Sequence, residues 1–217
     1  PCRWEYNGQG LSADICEIKR PEIHLSALEN EHGTFLFSSK DLCMIEHIPE
    51  LVRAGINSFK IEGRVKSAYY TAVTTNAYKT ELTRYLADPE GYRFDPCAKS
   101  ELESVSHREY CTGYFFDHPL ENAQITQNGG YIKEKSFLAT VEDYDPQTGR
   151  AVLFQRNKAV AGQKADLVSP RKPPREFIFS DLRDADGNTI ESAPHPKMLY
   201  SAAFPFPVEK GDIIRGK

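Results

Sequence analysis

The sequence predicts an α/β part followed by an all-β domain. Two short apolar runs with strand composition, 34–37 and 56–61, each precede a helical pattern. This order of strand, helix, strand and helix is typical of parallel strands joined by crossover helices. After residue 122 the pattern changes to short alternating runs separated by Gly, Asp and Pro turns, which indicates a small β-barrel.

The first helical pattern lies between the two apolar runs and ends at Gly55, in the position that a helix C-cap favours. Pro49 indicates either a break or the first turn of a second helical piece. A longer pattern runs from about Ser67 to Leu86, and the turn residues 88–91 end it. The apolar positions that carry the two patterns are Leu42, Ile45, Ile48, Leu51 and Val52, and then Tyr70, Val73, Ala77, Leu82, Tyr85 and Leu86.

The remaining segments carry different signals. Residues 1–33 are acidic and read as irregular, although a short strand at about 14–19 is compatible with their alternation. Residues 91–121 read as a connector with a short helix at 100–106. The strands predicted beyond residue 122 are 137–141, 150–155, 165–168, 176–179, 197–203 and 212–215, with turns at 145–149, 184–188 and 209–212.

Composition sets broad limits on function. The chain has 217 residues, 27% of them charged, and a net charge of −4, so it is not an obvious polyanion binder as a whole. The charge is uneven, however, because residues from 122 onward sum to +2 and the preceding residues to −6. A mildly basic C-terminal part is compatible with a nucleic-acid partner.

The cysteines indicate a reducing environment. Their number is odd and their spacing is wide, so a disulfide framework is not expected. We find neither a signal peptide nor an apolar run of about 20 residues. The sequence therefore predicts a cytoplasmic protein without membrane association.

Candidate chemistry lies where each predicted strand ends and a helix begins, the place where α/β folds bind ligands. The first strand is followed by Lys40, Asp41 and Cys43. At the start of a helix the dipole would lower the pKa of the Cys43 thiol. Three roles stay open for Cys43, namely a nucleophile, a metal ligand and a buried small apolar residue.

The second strand ends in Lys60, Glu62 and Arg64, which share one face if strand geometry continues. One interpretation is a buried ion pair that closes a barrel. The other is an anion site, in which Arg64 binds a carboxylate or phosphate in bidentate fashion and Glu62 acts as an orienting base. Lys40 and Asp41 would add to the same rim.

Hydrolytic motifs are absent from the sequence, which contains neither G-x-S-x-G nor HExxH. His47 follows Cys43 by four residues and would share its face on a continuous helix. Cys–His dyads normally come from separate elements, so this pair is weak support for proteolysis. The remaining cysteines, Cys16, Cys97 and Cys111, have no metal-ligand spacing and read as structural.

A basic cluster lies in the predicted β-barrel. Arg171, Lys172 and Arg175 flank two prolines, and Arg156 and Lys158 would extend the patch. Such a run is either a solvated loop or a contact for RNA phosphates, which attract Lys and Arg on an exposed rim.

Three stretches carry a resemblance: SSKDLCMIEHIPELVRAGINSFKIEGRVKSAYY, the opening PCRWEY, and Ala193–Pro194–His195–Pro196. Together they resemble peptidase family U32, the collagenase-like peptidases. The resemblance implies the terminal βα units of a TIM-like barrel followed by a small C-terminal β-barrel, similar to those of translation factors. It also implies an N-terminal portion of the same protein that supplies most of the barrel. The expected parts are an irregular segment at 1–33, βα units at 34–90, a connector at 91–121 and the β-barrel at 122–217.

The resemblance further implies an iron–sulfur cofactor in the intact protein. Relatives hold a [4Fe–4S] cluster with four cysteines, and Cys43 matches the last of them. Cys2 is a weaker candidate, and the other ligands would lie upstream. This chain alone would therefore neither hold a cluster nor be active.

The function implied by the resemblance is hydroxylation of the tRNA wobble uridine, linked to prephenate. Lys60, Glu62 and Arg64 would line the substrate pocket, with Lys40 and Asp41 beside it. Arg171, Lys172 and Arg175 would contact RNA. Two alternatives stay open, a collagenase-like peptidase and a non-catalytic module that binds RNA or a partner. The sequence departs from the family at Gly162–Gln163, where Gly-Asp is usual, and at Ala159, where an aromatic residue is common.

Overall fold

The computed structural model describes residues 4–9, 12–30, 33–35, 39–118, 125 and 131–216. The chain divides into two compact units. The first consists of Pro1–Met44 and His107–Ile132, and the second consists of Ile45–Ser106 and Lys133–Lys217.

The first unit contains a four-stranded antiparallel sheet, in the order β1-β2-β3-β4. The prediction that residues 1–33 are irregular is therefore wrong, although the short strand expected at 14–19 overlaps β2. Antiparallel strands obtain their hydrogen bonds from a neighbouring strand, and an irregular apolar pattern does not reveal that pairing. The strands are β1 (Trp4–Gln9), β2 (Ser12–Glu17), β3 (Arg20–Asn30) and β4 (Gly33–Phe35).

The run predicted as a parallel strand at 34–37 falls partly on β4, and residues 36 and 37 lie outside the described residues. β4 pairs antiparallel with β3, with Leu28 opposite Phe35. The first unit also contains one parallel pair, β5 (Asp41–Leu42) with β6 (Tyr110–Cys111). The TIM-like barrel stays a prediction.

The second unit begins with helices. A 3-10 helix (Ile45–His47) leads into α1 (Ile48–Arg53), which Gly55 follows at φ +80°. α2 (Ala68–Ala87) begins at its N-cap Ser67, as the sequence predicts, and α3 (Pro96–Glu103) begins at its N-cap Asp95. In α2, Val73, Ala77 and Tyr85 are buried as predicted, whereas Leu86 is exposed.

The strand predicted at 56–61 is wrong, because this stretch is irregular. The backbone hydrogen bonds at its two ends are local: the Ile56 N–H donates to the Leu51 carbonyl (3.2 Å), and beyond it the Lys66 N–H donates to the Gly63 carbonyl (2.9 Å). Strand composition alone does not form a strand where no partner continues the ladder.

The C-terminal part of the second unit is a curled seven-stranded sheet in which every pair is antiparallel. The sheet order is β11-β10-β15-β7-β8-β14-β12, and β9 pairs with β13 beside it. The strands are β7 (Ser136–Asp145), β8 (Arg150–Gln155), β9 (Ala159–Val160), β10 (Lys164–Val168), β11 (Arg175–Ile178), β12 (Ser180–Arg183), β13 (Ser192–Ala193), β14 (Leu199–Ala203) and β15 (Ile213–Gly216).

All six strands predicted in this part are confirmed, whereas β9, β12 and β13 were not predicted. The turns between them are also confirmed, with Gly149, Gly187 and Gly211 at positive φ. The two edge strands β11 and β12 are joined by the single residue Phe179, which is buried. The side chains inside the curl form the core: Leu138, Ala139, Val141, Ala151, Leu153, Leu167, Phe177, Leu182, Tyr200, Ala202 and Ile214, among others.

The helices pack on this sheet within the second unit. Tyr69 and Val73 of α2 form a buried cluster with Val105, Val168 and Ile213. The ring of Tyr69 stacks on that of Phe137, with centroids 5.6 Å apart. Helices and sheet therefore share one core.

Candidate functional site

The first predicted site residues lie on or beside β5, where polar contacts bind the strand to its neighbour. Lys40 Nζ pairs with a Glu109 carboxylate oxygen at 3.2 Å, and the Asp41 carboxylate accepts a hydrogen bond from the Arg108 N–H at 2.9 Å. The Asp41 N–H donates to the Glu109 carbonyl at 2.8 Å. Both predicted ligand-binding side chains thus have partners within the protein, and their role in substrate binding stays a prediction.

Cys43 follows β5 directly, and its N–H donates to the Cys111 carbonyl at 2.9 Å. Its side chain is half-buried and outside any disulfide. The expectation that Cys43 begins a helix is wrong, since α1 begins at Ile48 and the short 3-10 helix at Ile45. The helix from Cys43 to His47 is likewise not continuous, so the shared face expected for the two side chains does not exist. His47 Nδ1 instead lies 4.0 Å from Glu50.

The cysteines described here do not by themselves fit a four-thiolate cluster. Cys2 lies outside the described residues. Cys16 is buried, and Cys97 hydrogen-bonds to Asp95, which raises the pKa of its thiol. Among the described residues, no three His, Cys, Asp or Glu side chains converge on a point that would hold a metal ion. We therefore derive no step through a cluster.

Lys60, Glu62 and Arg64 lie on the irregular stretch before α2, and all three are exposed. Phe59, Ile61 and Gly63 are partly covered, so the two-residue alternation holds in exposure although no strand forms. The Glu62 carboxylate accepts a hydrogen bond from the Arg64 N–H at 2.9 Å. The interpretation of a buried ion pair is wrong, because neither cation is withdrawn from solvent.

The three cations of the basic cluster after β10, the last of which begins β11, differ in their contacts. The guanidinium of Arg175 lies 4.0 Å from the centre of the Phe206 ring and donates to the Pro207 carbonyl at 2.9 Å. Lys172 pairs with Glu209 at 3.0 Å. Arg171 is exposed, and its backbone N–H donates to the Asn76 side chain of α2 at 2.8 Å.

This last hydrogen bond joins the two walls of a groove of about 520 Å³, which we call the α2 groove. One wall is the exposed face of α2, and the other is the end of β10 with the loop that follows and the start of β15. Sequence reasoning found Arg171 but missed Lys79. The lining residues are Thr71, Ala72, Thr75, Asn76, Lys79, Val168, Ser169, Pro170, Arg171, Gly211 and Ile213.

Sequence reasoning also missed a buried ion network around Arg215 of β15. Arg215 is 1% exposed, and its guanidinium binds Glu101 of α3 at 2.7 and 2.9 Å and Asp166 of β10 at 3.0 Å. It also donates to Ser104 Oγ at 2.8 Å, and Lys135 pairs with Asp166. The available signal was a charge inside each of two apolar strand runs, Ala165–Val168 and Ile213–Gly216.

These contacts determine the protonation of the network. Burial opposes charge on Arg215, but the hydrogen bonds with Glu101 outweigh it and raise the pKa of the guanidinium. Burial likewise acts to raise the pKa of Asp166, yet the hydrogen bonds from Lys135 and Arg215 lower it. Both pKa shifts favour the charged forms of Arg215 and Asp166, and the network is structural in character.

None of the helices in the described ranges combines the length and the apolar character that a bilayer span requires.

Comparison with known proteins shows the same organisation. Residues 1–125 match the model of peptidase family U32, and residues 133–215 match the model of the U32 C-terminal domain. The chain is 30% identical over 198 residues to the tRNA hydroxylation protein P1 of Bacillus subtilis, which covers 91% of this chain and 45% of that protein. It is 46% identical over 166 residues to an uncharacterized protease of Methanocaldococcus jannaschii, covering 70% of this chain and 38% of that protein.

The solved structures that match include one of a C-terminal domain. It is the selenomethionine variant of the C-terminal domain of a Geobacillus thermoleovorans protein described as a U32 peptidase. It is 28% identical, covers 37% of this chain and 98% of its own, and superimposes with a TM-score of 0.36. The chain spans less than half the length of the two relatives above. With both family models matched along nearly its whole length, the chain belongs to peptidase family U32.

Proposed function

We propose that the protein takes part in the hydroxylation of tRNA, at the wobble uridine and with prephenate as co-substrate. The observation that carries the proposal is the 30% identity, over 91% of this chain, to a protein named for tRNA hydroxylation. The wobble position and prephenate are the finer part of the proposal and rest on the family resemblance.

Lys60, Glu62 and Arg64 suit this proposal in charge and exposure. Prephenate is a dicarboxylate, and two exposed cations at alternate positions offer one partner to each carboxylate. The guanidinium of Arg64 would bind its carboxylate in bidentate fashion. Glu62 already accepts the Arg64 N–H, so its part would be to hold the loop in shape. Lys40 and Asp41, which brace β5, would position the segment that carries Cys43.

For the cofactor, we propose Cys43 as one ligand of a [4Fe–4S] cluster in the full-length protein. Its half-buried thiol lies beside a fixed strand, but it supplies one of the four thiolates that such a cluster requires. Iron content and visible absorbance of the anaerobically purified full-length Cys43→Ser variant test this proposal, with Cys97→Ser as the control. Loss of iron is expected for Cys43→Ser alone, and equal iron in both variants contradicts it.

The function is tested by mass spectrometry of tRNA nucleosides. A strain without the gene would be complemented with the wild-type gene, with Arg64→Met or with Lys60→Met. We expect 5-hydroxyuridine derivatives to disappear in the deletion strain, to return with the wild type, and to fall at least tenfold with either variant. Unchanged nucleosides in the deletion strain would overturn the assignment to tRNA.

Peptide hydrolysis is a second candidate, favoured by the 46% identity to an uncharacterized protease. Cys43 would be the nucleophile, and the structure gives it no helix start to activate it. The purified full-length protein would be incubated with gelatin and a collagen-derived peptide. Cleavage by the wild type but not by Cys43→Ser would establish this function, and equal cleavage by both would assign it to a contaminant.

A further inference from the structure

We propose that the α2 groove binds the phosphodiester backbone of RNA, with Lys79 and Arg171 as its two phosphate-binding cations. The proposal rests on the proposed function, because tRNA is the RNA that such a protein would hold. It differs from the sequence expectation in one respect. The site is shared between a helix and the C-terminal sheet, and does not consist of the basic loop alone.

The first wall of the groove is one face of α2. Thr71, Thr75 and Lys79 recur every four residues, with Ala72 and Asn76 beside them. Both threonines and the lysine are exposed. Threonine is a poor helix former, so helix stability does not account for its repetition on this face. The Thr71 hydroxyl already donates to the Ser67 carbonyl at 3.4 Å, whereas the Thr75 hydroxyl offers a short, neutral donor of the kind that phosphate and sugar oxygens accept.

The second wall provides the other cation and the base of the groove. Val168 and Ile213 are buried beneath it, and Arg171 borders it in the loop after β10. None of the groove-lining residues is acidic. The adjacent Glu209 is paired with Lys172, which lowers the pKa of that carboxyl. The groove therefore combines two cations with neutral donors, and its charge is complementary to a polyanion.

The backbone of Arg171 supports a functional assignment. It has a φ of +60°, a left-handed conformation that is unfavourable for a residue with a Cβ. The Asn76 side chain of α2 accepts its N–H at 2.8 Å and holds it in that conformation. Glycine would adopt this φ without strain, and glycine occupies most of the other positive-φ positions among the described residues. Strain that the surroundings maintain is often found at ligand sites.

The shape of the groove favours RNA over a membrane surface. Its two large apolar residues, Val168 and Ile213, lie at the base and are less than 10% exposed, so they cannot insert into a bilayer. The cations lie on opposite walls, as a recessed strand of phosphates requires.

The test is the affinity of the full-length gene product for tRNA, measured by fluorescence anisotropy from 50 to 300 mM KCl. Arg171→Gly removes the cation and relieves the backbone, so a folding defect is not expected. Lys79→Gln removes the other cation. We expect each variant to bind about three- to tenfold more weakly at 100 mM KCl. The logarithm of the binding constant decreases with the logarithm of the salt concentration, and this slope should become less steep by about 0.7 to 0.9 for each phosphate-binding cation that is removed.

Lys197→Gly is the matched control. Lys197 is an exposed cation at φ +63° in the loop before β14, outside the groove, so this change removes the same charge and relieves the same backbone strain. Binding equal to that of the wild type is expected. If Arg171→Gly and Lys197→Gly have equal effects, the groove is not the site and only net charge matters.

Two further measurements separate the possible failures. If Arg171→Gly and Lys79→Gln lose binding to phosphatidylglycerol vesicles but bind tRNA as the wild type does, the RNA assignment is overturned in favour of a membrane. Nucleoside analysis of the deletion strain tests hydroxylation independently of the groove. If tRNA modification requires the gene but the groove variants bind and modify tRNA normally, the groove proposal fails alone. If they lose tRNA binding while the deletion leaves tRNA modification unchanged, the groove stands and the hydroxylation proposal fails.

Discussion

Tyr69 and Tyr200 are both buried, but their hydroxyl groups have different surroundings. The Tyr69 hydroxyl lies 3.3 Å from Ser104 Oγ and accepts from Arg215 at 3.5 Å. The Tyr200 hydroxyl lies in the core of the sheet, and within the described residues it has no hydrogen-bond partner. Burial raises the pKa of Tyr200, so the group stays neutral. A buried polar atom without a partner lowers stability by its desolvation alone.

The first prediction compares these two tyrosines by urea unfolding. Tyr200→Phe is expected to leave the free energy of unfolding unchanged or raise it by up to about 1 kcal/mol, because only an unpaired hydroxyl is removed. Tyr69→Phe is expected to lower it by about 1 kcal/mol, because the hydroxyl contributes to the Arg215 network. Effects of the same sign and size in the two variants would contradict this assignment.

Asp166 gives a prediction of pH dependence. Its pKa is lowered in the folded state, so the unfolded chain binds its proton at a higher pH than the native protein does. The stabilisation is therefore fully present above the unfolded pKa of about 4 and is lost as the pH falls below it. Thermal unfolding between pH 7 and pH 3 should show Asp166→Asn to be less stable than wild type at pH 7 and less sensitive to acid. Asp186→Asn, an exposed turn residue, should follow the wild type.

Lys60, Glu62 and Arg64, which the sequence predicted as site residues from their alternation, are all exposed, and their role in a site stays a prediction. Alternation could not show that Lys40 pairs with Glu109, because that partner lies far along the chain. The same limit hid Lys79, whose place opposite Arg171 results from tertiary packing and not from any local pattern.

For helices and strands, residues that mark the end of an element predicted the structure better than amino-acid composition did. Ser67 marks the start of α2 because its hydroxyl accepts the Tyr70 N–H at 3.2 Å, and Gly55 ends α1 in a left-handed conformation. The run 56–61 has strand composition but forms no strand, since the described structure offers it no neighbouring strand. The strands of the C-terminal sheet were predictable because their alternating runs are separated by turns, several of which contain glycine at positive φ.

The N-cap of α2 provides the second stability prediction. Ser67→Ala removes the acceptor of the Tyr70 N–H and is expected to lower the free energy of unfolding by about 1 kcal/mol. Ser67→Asp should restore it, since a carboxylate caps equally well and interacts favourably with the helix dipole. Chemical denaturation followed by circular dichroism measures both variants. Failure of Ser67→Asp to exceed Ser67→Ala would show that the hydrogen bond does not stabilise the helix.

At the scale of the whole molecule, the helices and the C-terminal sheet belong to one compact unit. The sequence indicated a change of character near residue 122, and in the described residues the last helix ends at Glu103 and the C-terminal sheet begins at Ser136. It did not indicate that α2 shares a buried cluster with the sheet, or that α3 is joined to the sheet by an ion pair, because Arg215 and Glu101 are separated by more than half the chain. The buried ion pair between them joins the two parts.

Breaking this pair should destabilise both parts together. Glu101→Ala leaves the buried guanidinium of Arg215 with Asp166 as its remaining carboxylate partner, and we expect the free energy of unfolding to fall by about 3 kcal/mol. Glu103→Ala removes the same side chain two residues later on α3 and should change stability by less than about 1 kcal/mol. Calorimetry should show that the transition of this unit moves to lower temperature for Glu101→Ala. Separate transitions for the helices and the sheet within this unit would show that they unfold independently.

Backbone hydrogen bonds between the end of α3 and the start of β7 indicate where the chain tolerates inserted residues. The Lys135 N–H donates to the Ser104 carbonyl at 3.2 Å, and His107 and Ile132 exchange hydrogen bonds of 3.1 and 2.7 Å. The ends of the intervening segment are therefore held side by side. The free-energy cost of closing a loop depends only weakly on loop length and rises by about 0.6 kcal/mol for each doubling of that length. Insertions after β6 and before Ile132, which leave the contacts of β5 with β6 intact, should thus be among the best tolerated in the chain, which makes this part of the segment a suitable place to insert a reporter domain.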